Sequence, residues 1–216
     1  MIEFSELIIG SVEDYDKLYD YVGKEAIDDY AVETLKRFVG TSCNKIVVEY
    51  PYHDKDFLST YYCYYSQKFR SFPKKCYRLH IMGKDEVYYG YIVLRPTVKG
   101  TRLGTTYLSP KPLINEEAYL MLAKYEAHIM DNKCEIKCFP WMKQEVDISV
   151  CAHVAAWTIL RYYGNKYHNY ADTTMGAIAQ KIKGDMGRKT PSNGLTPVQI
   201  ADLFQEYGFS PIIRVE

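Results

Sequence analysis

Two hydrophobic periods alternate along the chain. Residues 11–39 carry a helical pattern, with Ser11 as N-cap, acids early (Glu13, Asp14, Asp16), bases late (Lys36, Arg37) and Gly40 beyond. Gly23 interrupts the pattern, so the stretch is one broken helix or two. Residues 46–50 read as a short strand ended by Pro51, and Asp54 or Asp56 caps a helix through 57–69 whose aromatic stripe faces a core. From Cys76 the period falls to two. Residues 77–82 and 87–95 form a hairpin about Gly83-Lys84-Asp85, Pro96 ends it, and 102–108 is a third strand. A long strand over 118–130 meets 134–139 across Asp131-Asn132-Lys133. Residues 1–139 thus read as helices followed by a mainly antiparallel sheet, an α+β pattern and a first domain.

Residues 140–216 return to helical spacing and form a second unit. Ser149 is an N-cap, Val154, Ala155, Ile159, Leu160 and Tyr163 make the apolar set, and Gly164 is the C′ glycine, which puts Cys151 in the first turn. A polar loop over 165–172 leads to a short helix, 175–183, capped by Thr173 or Thr174. The exposed loop 183–194 holds Gly184 and Gly187 close together, but Gly184-Asp-Met-Gly-Arg-Lys-Thr190 lacks the spacing of a phosphate-binding loop. Thr196, Pro197 and Gln199 then form a helix start with a capping box; this helix runs to Tyr207, stops at Gly208, and a strand over 209–215 follows.

Composition narrows the function classes. The 216 residues, 47% hydrophobic, support a sizeable core, and 27 basic against 27 acidic residues leave no field that draws nucleic acid or an anionic membrane. No stretch reaches the roughly 18 apolar residues of a membrane span, and the acidic start lacks the bases of a secretory signal, so a cytoplasmic protein is expected. In that compartment the six cysteines are expected to be reduced. Cys134 and Cys138 lie on one face of a strand with no second Cys/His pair, so neither a metal nor a cofactor is expected. The 22 tyrosines, clustered as at 61–65 and 88–91, read as half-buried sheet and helix faces, with a binding surface as the alternative.

Cys151 is the candidate nucleophile. The N–H groups and dipole at a helix start favour a thiolate, the form that attacks carbonyls, while a buried packing thiol is the alternative role. His153, two residues on, points about 200° away on the same helix and is no base for it. His80 and His128 lie in strands, His53 and His168 in polar loops, all read as structural or solvated.

Gln144, Cys151-Ala-His-Val-Ala-Ala-Trp157 and Tyr162-Tyr-Gly164, followed by Gly194-Leu-Thr-Pro-Val-Gln199, Leu203 and Tyr207-Gly-Phe209, resemble the N-terminal half of a papain-like cysteine peptidase. The bacterial double-glycine leader peptidases are the nearest in pattern. The resemblance covers about residues 139–216 and implies Cys151 as nucleophile, Gln144 as oxyanion donor and a peptide or protein as substrate. Ala152 stands where those peptidases carry glycine, and the Gln–Cys spacing is one residue longer. The family's catalytic His and its Asp or Asn orienter lie beyond the Gly-Phe exit. The resemblance therefore implies a fragment, a half-site completed by another polypeptide, or a non-catalytic relative. A fragment is favoured, because a strand at 212–215 would otherwise end the chain as an exposed edge. Against peptidase or related acyl transfer, including a transglutaminase-like variant, stands a scaffold that binds through its Tyr-rich N-terminal part.

Overall fold

The computed structural model describes residues 2–98, 100–112, 119–145, 151–182 and 194–214. Five strands form one antiparallel meander in sequence order: β1 (Glu3–Ile8), β2 (Cys43–Tyr52), β3 (Cys76–Gly83), β4 (Tyr88–Leu94) and β5 (Leu103–Leu108). Between β1 and β2 lie a 3₁₀ turn over Val12–Lys17 and two helices, α1 (Leu18–Val22) and α2 (Asp29–Phe38). Helix α3 (Lys55–Cys63) joins β2 to β3, and β6 (Ala123–Ile129) with β7 (Asn132–Cys138) makes a separate hairpin. The chain ends in α4 (Cys151–Lys166), α5 (Met175–Lys181) and α6 (Pro197–Glu206). The protein is of the α+β class.

Period-two alternation sends side chains to two cores. Ile46, Val48, Leu79, Ile81, Ile92 and Leu94 pack on Tyr15, Leu18 and Leu35 from the first helices. The alternate positions, Tyr91 and Val93 among them, pack with Phe57, Tyr125, Ile136 and Tyr162 on the other face. A strand covered on both faces loses its polar alternation, which explains the unbroken apolar run from Tyr91 to Leu94. A third cluster joins Trp157, Leu160, Met175, Ile178, Leu203 and Met142. Tyr64, Tyr65, Tyr91, Tyr107, Tyr125 and Tyr162 are buried, so much of the tyrosine excess is core.

Several elements differ from the pattern. Residues 11–39 break into three pieces because Gly23 takes φ +80° and Asp28 starts α2 afresh, accepting the Ala31 N–H at 3.0 Å. Helix α3 ends at Cys63 rather than residue 69, and its cap is Asp54, which accepts the Phe57 N–H at 2.7 Å. Of the strand expected over 118–130, residues 119–122 lie outside regular structure and Ala118 lies outside the described residues. Strand β1 was not in the pattern at all, and 209–214 is not a strand; Phe209 instead stacks on Tyr170 with centroids 4.3 Å apart. The exposed-edge argument for a fragment therefore has no strand to rest on.

Gly164 does not end α4, which runs to Lys166. Its lack of a side chain serves close approach, since a Cβ there would sit 2.8 Å from the Ala171 carbonyl oxygen. Gly176 does the same between α5 and α3: its N–H donates to Ser59 Oγ at 3.0 Å, and a Cβ would meet the Ser59 carbonyl oxygen at 2.5 Å. Gly176→Ala is expected to cost roughly 1–3 kcal/mol by forcing the helices apart. Urea unfolding measures it, and an unchanged midpoint would show that α3 and α5 can separate freely.

Candidate active site

Helix α4 is described from Cys151, whose side chain is exposed; the proposed Ser149 cap and the 183–193 loop lie outside the described residues. Gln144 is exposed too. Both residues line one open groove of about 570 Å³, walled by Phe139, Trp141, Val154 and Ile159. The structure thus brings together the two residues singled out in the sequence. Their groove is apolar at its rim, with Trp141 and Ile159 40% and 38% exposed.

What holds Gln144 in place was not visible in the sequence. Trp141 pairs with Thr106 on the edge of β5, donating its N–H at 3.0 Å and accepting at 2.7 Å. Lys143 follows with an N–H bond to the Leu103 carbonyl at 3.1 Å. On the other side Arg95, 4% exposed, donates through Nη2 to the carbonyls of Lys143, Thr101 and Leu103 at 3.0, 2.6 and 3.0 Å. Glu145 completes the clamp with an ion pair to Arg95 Nη1 at 2.7 Å and an accepted bond from the Tyr65 hydroxyl at 2.8 Å. Gln144 is therefore flanked by two fixed residues.

Helix α4 is anchored through a buried carboxylate. Trp157 and Arg161, one turn apart, both reach Asp56 of α3: Nε1 at 2.8 Å and Nη2 at 2.9 and 3.0 Å. Asp56 also accepts the Met175 N–H that begins α5, at 3.1 Å. In the sequence Asp56 was only a rival to Asp54 as a cap. Its partners lie more than a hundred positions away, and no local signal marks them.

The histidines stay apart from the groove. His153 is 3% exposed, faces the interior as the helical angle predicts, and its Nδ1 has no partner among the described residues; burial lowers its pKa and keeps it neutral. His80 lies between Glu49 at 3.0 Å and the Tyr88 hydroxyl at 2.8 Å, under the β6–β7 hairpin side of the sheet. Burial lowers its pKa against the pull of Glu49. His53, His128 and His168 are exposed, and none of the five is among the described residues that line the groove.

All six cysteines are free. Burial raises the thiol pKa of Cys43, Cys63, Cys76 and Cys134, and pushes Cys138 up to about 12. Among the described residues there is no metal-binding cluster of His, Cys, Asp or Glu, and no helix is long and apolar enough to cross a membrane.

Fold and groove together define an α+β protein with an exposed cysteine on a helix that is anchored through a buried carboxylate. No protein-family model, curated protein or solved structure matches the chain.

Proposed function

We propose that the chain carries the nucleophile half of a papain-like cysteine peptidase or related acyl-transfer site, with Cys151 as nucleophile and Gln144 as oxyanion donor. The observation that supports this reading is that two residues seven positions apart, one an exposed thiol on a helix, line the same apolar groove. A peptide or protein segment suits such a groove, since its backbone carbonyl can meet Gln144 while its side chains cover Trp141 and Ile159. Thiolate attack forms the C–S bond as the carbonyl π pair moves to oxygen, where Gln144 and the Cys151 N–H donate hydrogen bonds to it. Collapse reforms the carbonyl, breaks the C–N bond and releases a protonated amine, leaving an acyl thioester for water to hydrolyse. The proton shuttle is a histidine from outside the described groove, supplied by further polypeptide. Balanced charge and free cysteines fit a cytoplasmic setting, and the resemblance to the leader peptidases suggests a bacterial one.

Iodoacetamide labelling followed by peptide mass mapping tests this. Cys151 is expected to be alkylated far ahead of the other five cysteines and well below pH 8. Labelling of Cys151 only at the alkaline pH of an ordinary thiol sinks the nucleophile and favours the alternative, a non-catalytic scaffold that binds through its Tyr-rich sheet.

A further inference from the structure

The segment that joins α3 to β3 is basic. Lys68, Arg70, Lys74 and Lys75 fall within residues 68–75, and no acid separates them. Lys68 and Lys74 lie over the rings of Tyr64 and Tyr62, with Nζ 4.0 and 4.8 Å from the centroids, and Arg70 Cζ lies over Phe72 at 5.6 Å. The rings hold these side chains without cancelling their charge. None of the four bases forms an ion pair among the described residues.

This segment lines an open cavity of about 240 Å³, to which it contributes Arg70, Ser71 and Phe72. The connection between β4 and β5 contributes Pro96, Val98 and Arg102. Arg102 is 7% exposed, and its guanidinium is fixed by Nη1, which donates to the carbonyls of Lys24 and Ile27 at 3.2 and 3.5 Å. Nη2 makes no hydrogen bond to a described residue, and unlike Nε it is not closed to solvent. The acid beside Ile27, Asp28, directs its two oxygens to the N–H groups of Ala31 and Gly100, at 3.0 and 2.8 Å, and forms no ion pair with Arg102. Lys99, the one residue of the connection outside the described residues, is itself a base in the sequence. A guanidinium largely withdrawn from water and unmatched by a carboxylate is costly to keep, and a second one at the same cavity adds to the cost. An anion in the cavity lowers it.

The donors select the kind of anion. A carboxylate has two oxygens, which a single guanidinium fork satisfies; a phosphoryl group has three, with about two charges, and so can engage both arginines and the Ser71 hydroxyl. Phe72, Pro96 and Val98 leave an apolar surface on which an organic group on the fourth oxygen can rest.

We infer that this two-arginine cavity binds a phosphoryl dianion, as inorganic phosphate or as the phosphomonoester group of a small molecule, at a site that shares no residue with the Cys151 groove. Calorimetric titration of the full chain at fixed ionic strength with phenyl phosphate, inorganic phosphate and benzoate tests it. At least one of the two phosphates is expected to bind saturably and more tightly than benzoate. Tighter binding of phenyl phosphate identifies an ester as the ligand, and equal or tighter binding of inorganic phosphate identifies the free ion; both results support the site. Arg70→Ala, at an exposed side chain, is expected to weaken the bound phosphate about ten-fold, whereas Lys137→Ala, at an exposed base on β7, is expected to leave it unchanged. Four results overturn the assignment: no saturable binding of either phosphate, benzoate bound as tightly, unchanged affinity in Arg70→Ala, or an equal loss in Lys137→Ala.

Discussion

Asp56→Ala is expected to lower the stability of the fold by about 3–5 kcal/mol, read as a fall in the urea midpoint at unchanged slope. The reason is the number of groups that one carboxylate satisfies. Asp56 is 2% exposed and receives the Trp157 indole N–H, the Arg161 guanidinium and the first N–H of α5. Alanine would leave an indole donor, a backbone donor and a buried cation short of partners at once. Burial alone works against the Arg161 charge, and the Asp56 carboxylate outweighs it, so the guanidinium pKa is raised. The remaining ion pair, to Asp172, is half open to water and replaces little of that attraction.

A second variant separates the pair from its parts. Asp56→Leu combined with Arg161→Met removes both charges and fills the space, and is expected to recover a large share of the loss, because an uncompensated charge rather than a missing contact dominates the single change. If Asp56→Ala keeps the wild-type midpoint, the carboxylate is not what joins α3, α4 and α5. The same measurement bears on the candidate active site, since Trp157 and Arg161 fix the helix that presents Cys151.

Local chemistry decided what could be read from the sequence. The capping box of α6 was legible because Thr196 and Gln199 lie within one turn of each other, and the structure shows both of its bonds, at 2.9 and 3.2 Å. The β3–β4 hairpin was legible for the same reason. Strand β1 was not: as an edge strand it buries Leu7 fully and little else, so it has almost no alternation to detect, and only its pairing with β2 makes it a strand. Residues 209–214 show the converse. Their β-branched composition asks for a sheet, and tertiary packing gives Phe209 an aromatic cluster instead.

The site divides along the same line. Gln144 and Cys151 were singled out from residue type and a short spacing, and both line one groove. Arg95, Glu145 and Tyr65, which fix the chain on either side of Gln144, were not, since each is tied to partners across the sheet. Buried charges paired over long sequence distances leave no periodic trace.

Between pH 4 and pH 7 the wild type is expected to lose up to about 3 kcal/mol of stability relative to Asp54→Asn. Asp54 is 3% exposed; it caps α3 through the Phe57 N–H and accepts the Thr105 hydroxyl at 3.3 Å. Burial, and then the neighbouring Asp56 charge, push its carboxyl up to about 6, against the opposing pull of the Phe57 N–H, Arg95 and Arg161. In the unfolded chain the same group titrates near 3.9. The sign follows from proton counts. Below about pH 4 both states hold the proton and the contribution is fully present; as pH rises through 6 the folded protein must ionise a buried carboxyl that the unfolded chain has already ionised, and the contribution is lost. Asparagine caps a helix as well as aspartate and does not titrate. Glu49 acts in the opposite sense: burial raises its carboxyl, His80 and Arg78 outweigh burial, and the stability it contributes is lost as pH falls. That effect is common to both proteins and cancels in the difference. Parallel urea midpoints from pH 4 to pH 7 measure it, and a difference that stays flat across the range would mean that Asp54 is ionised in the fold at little cost.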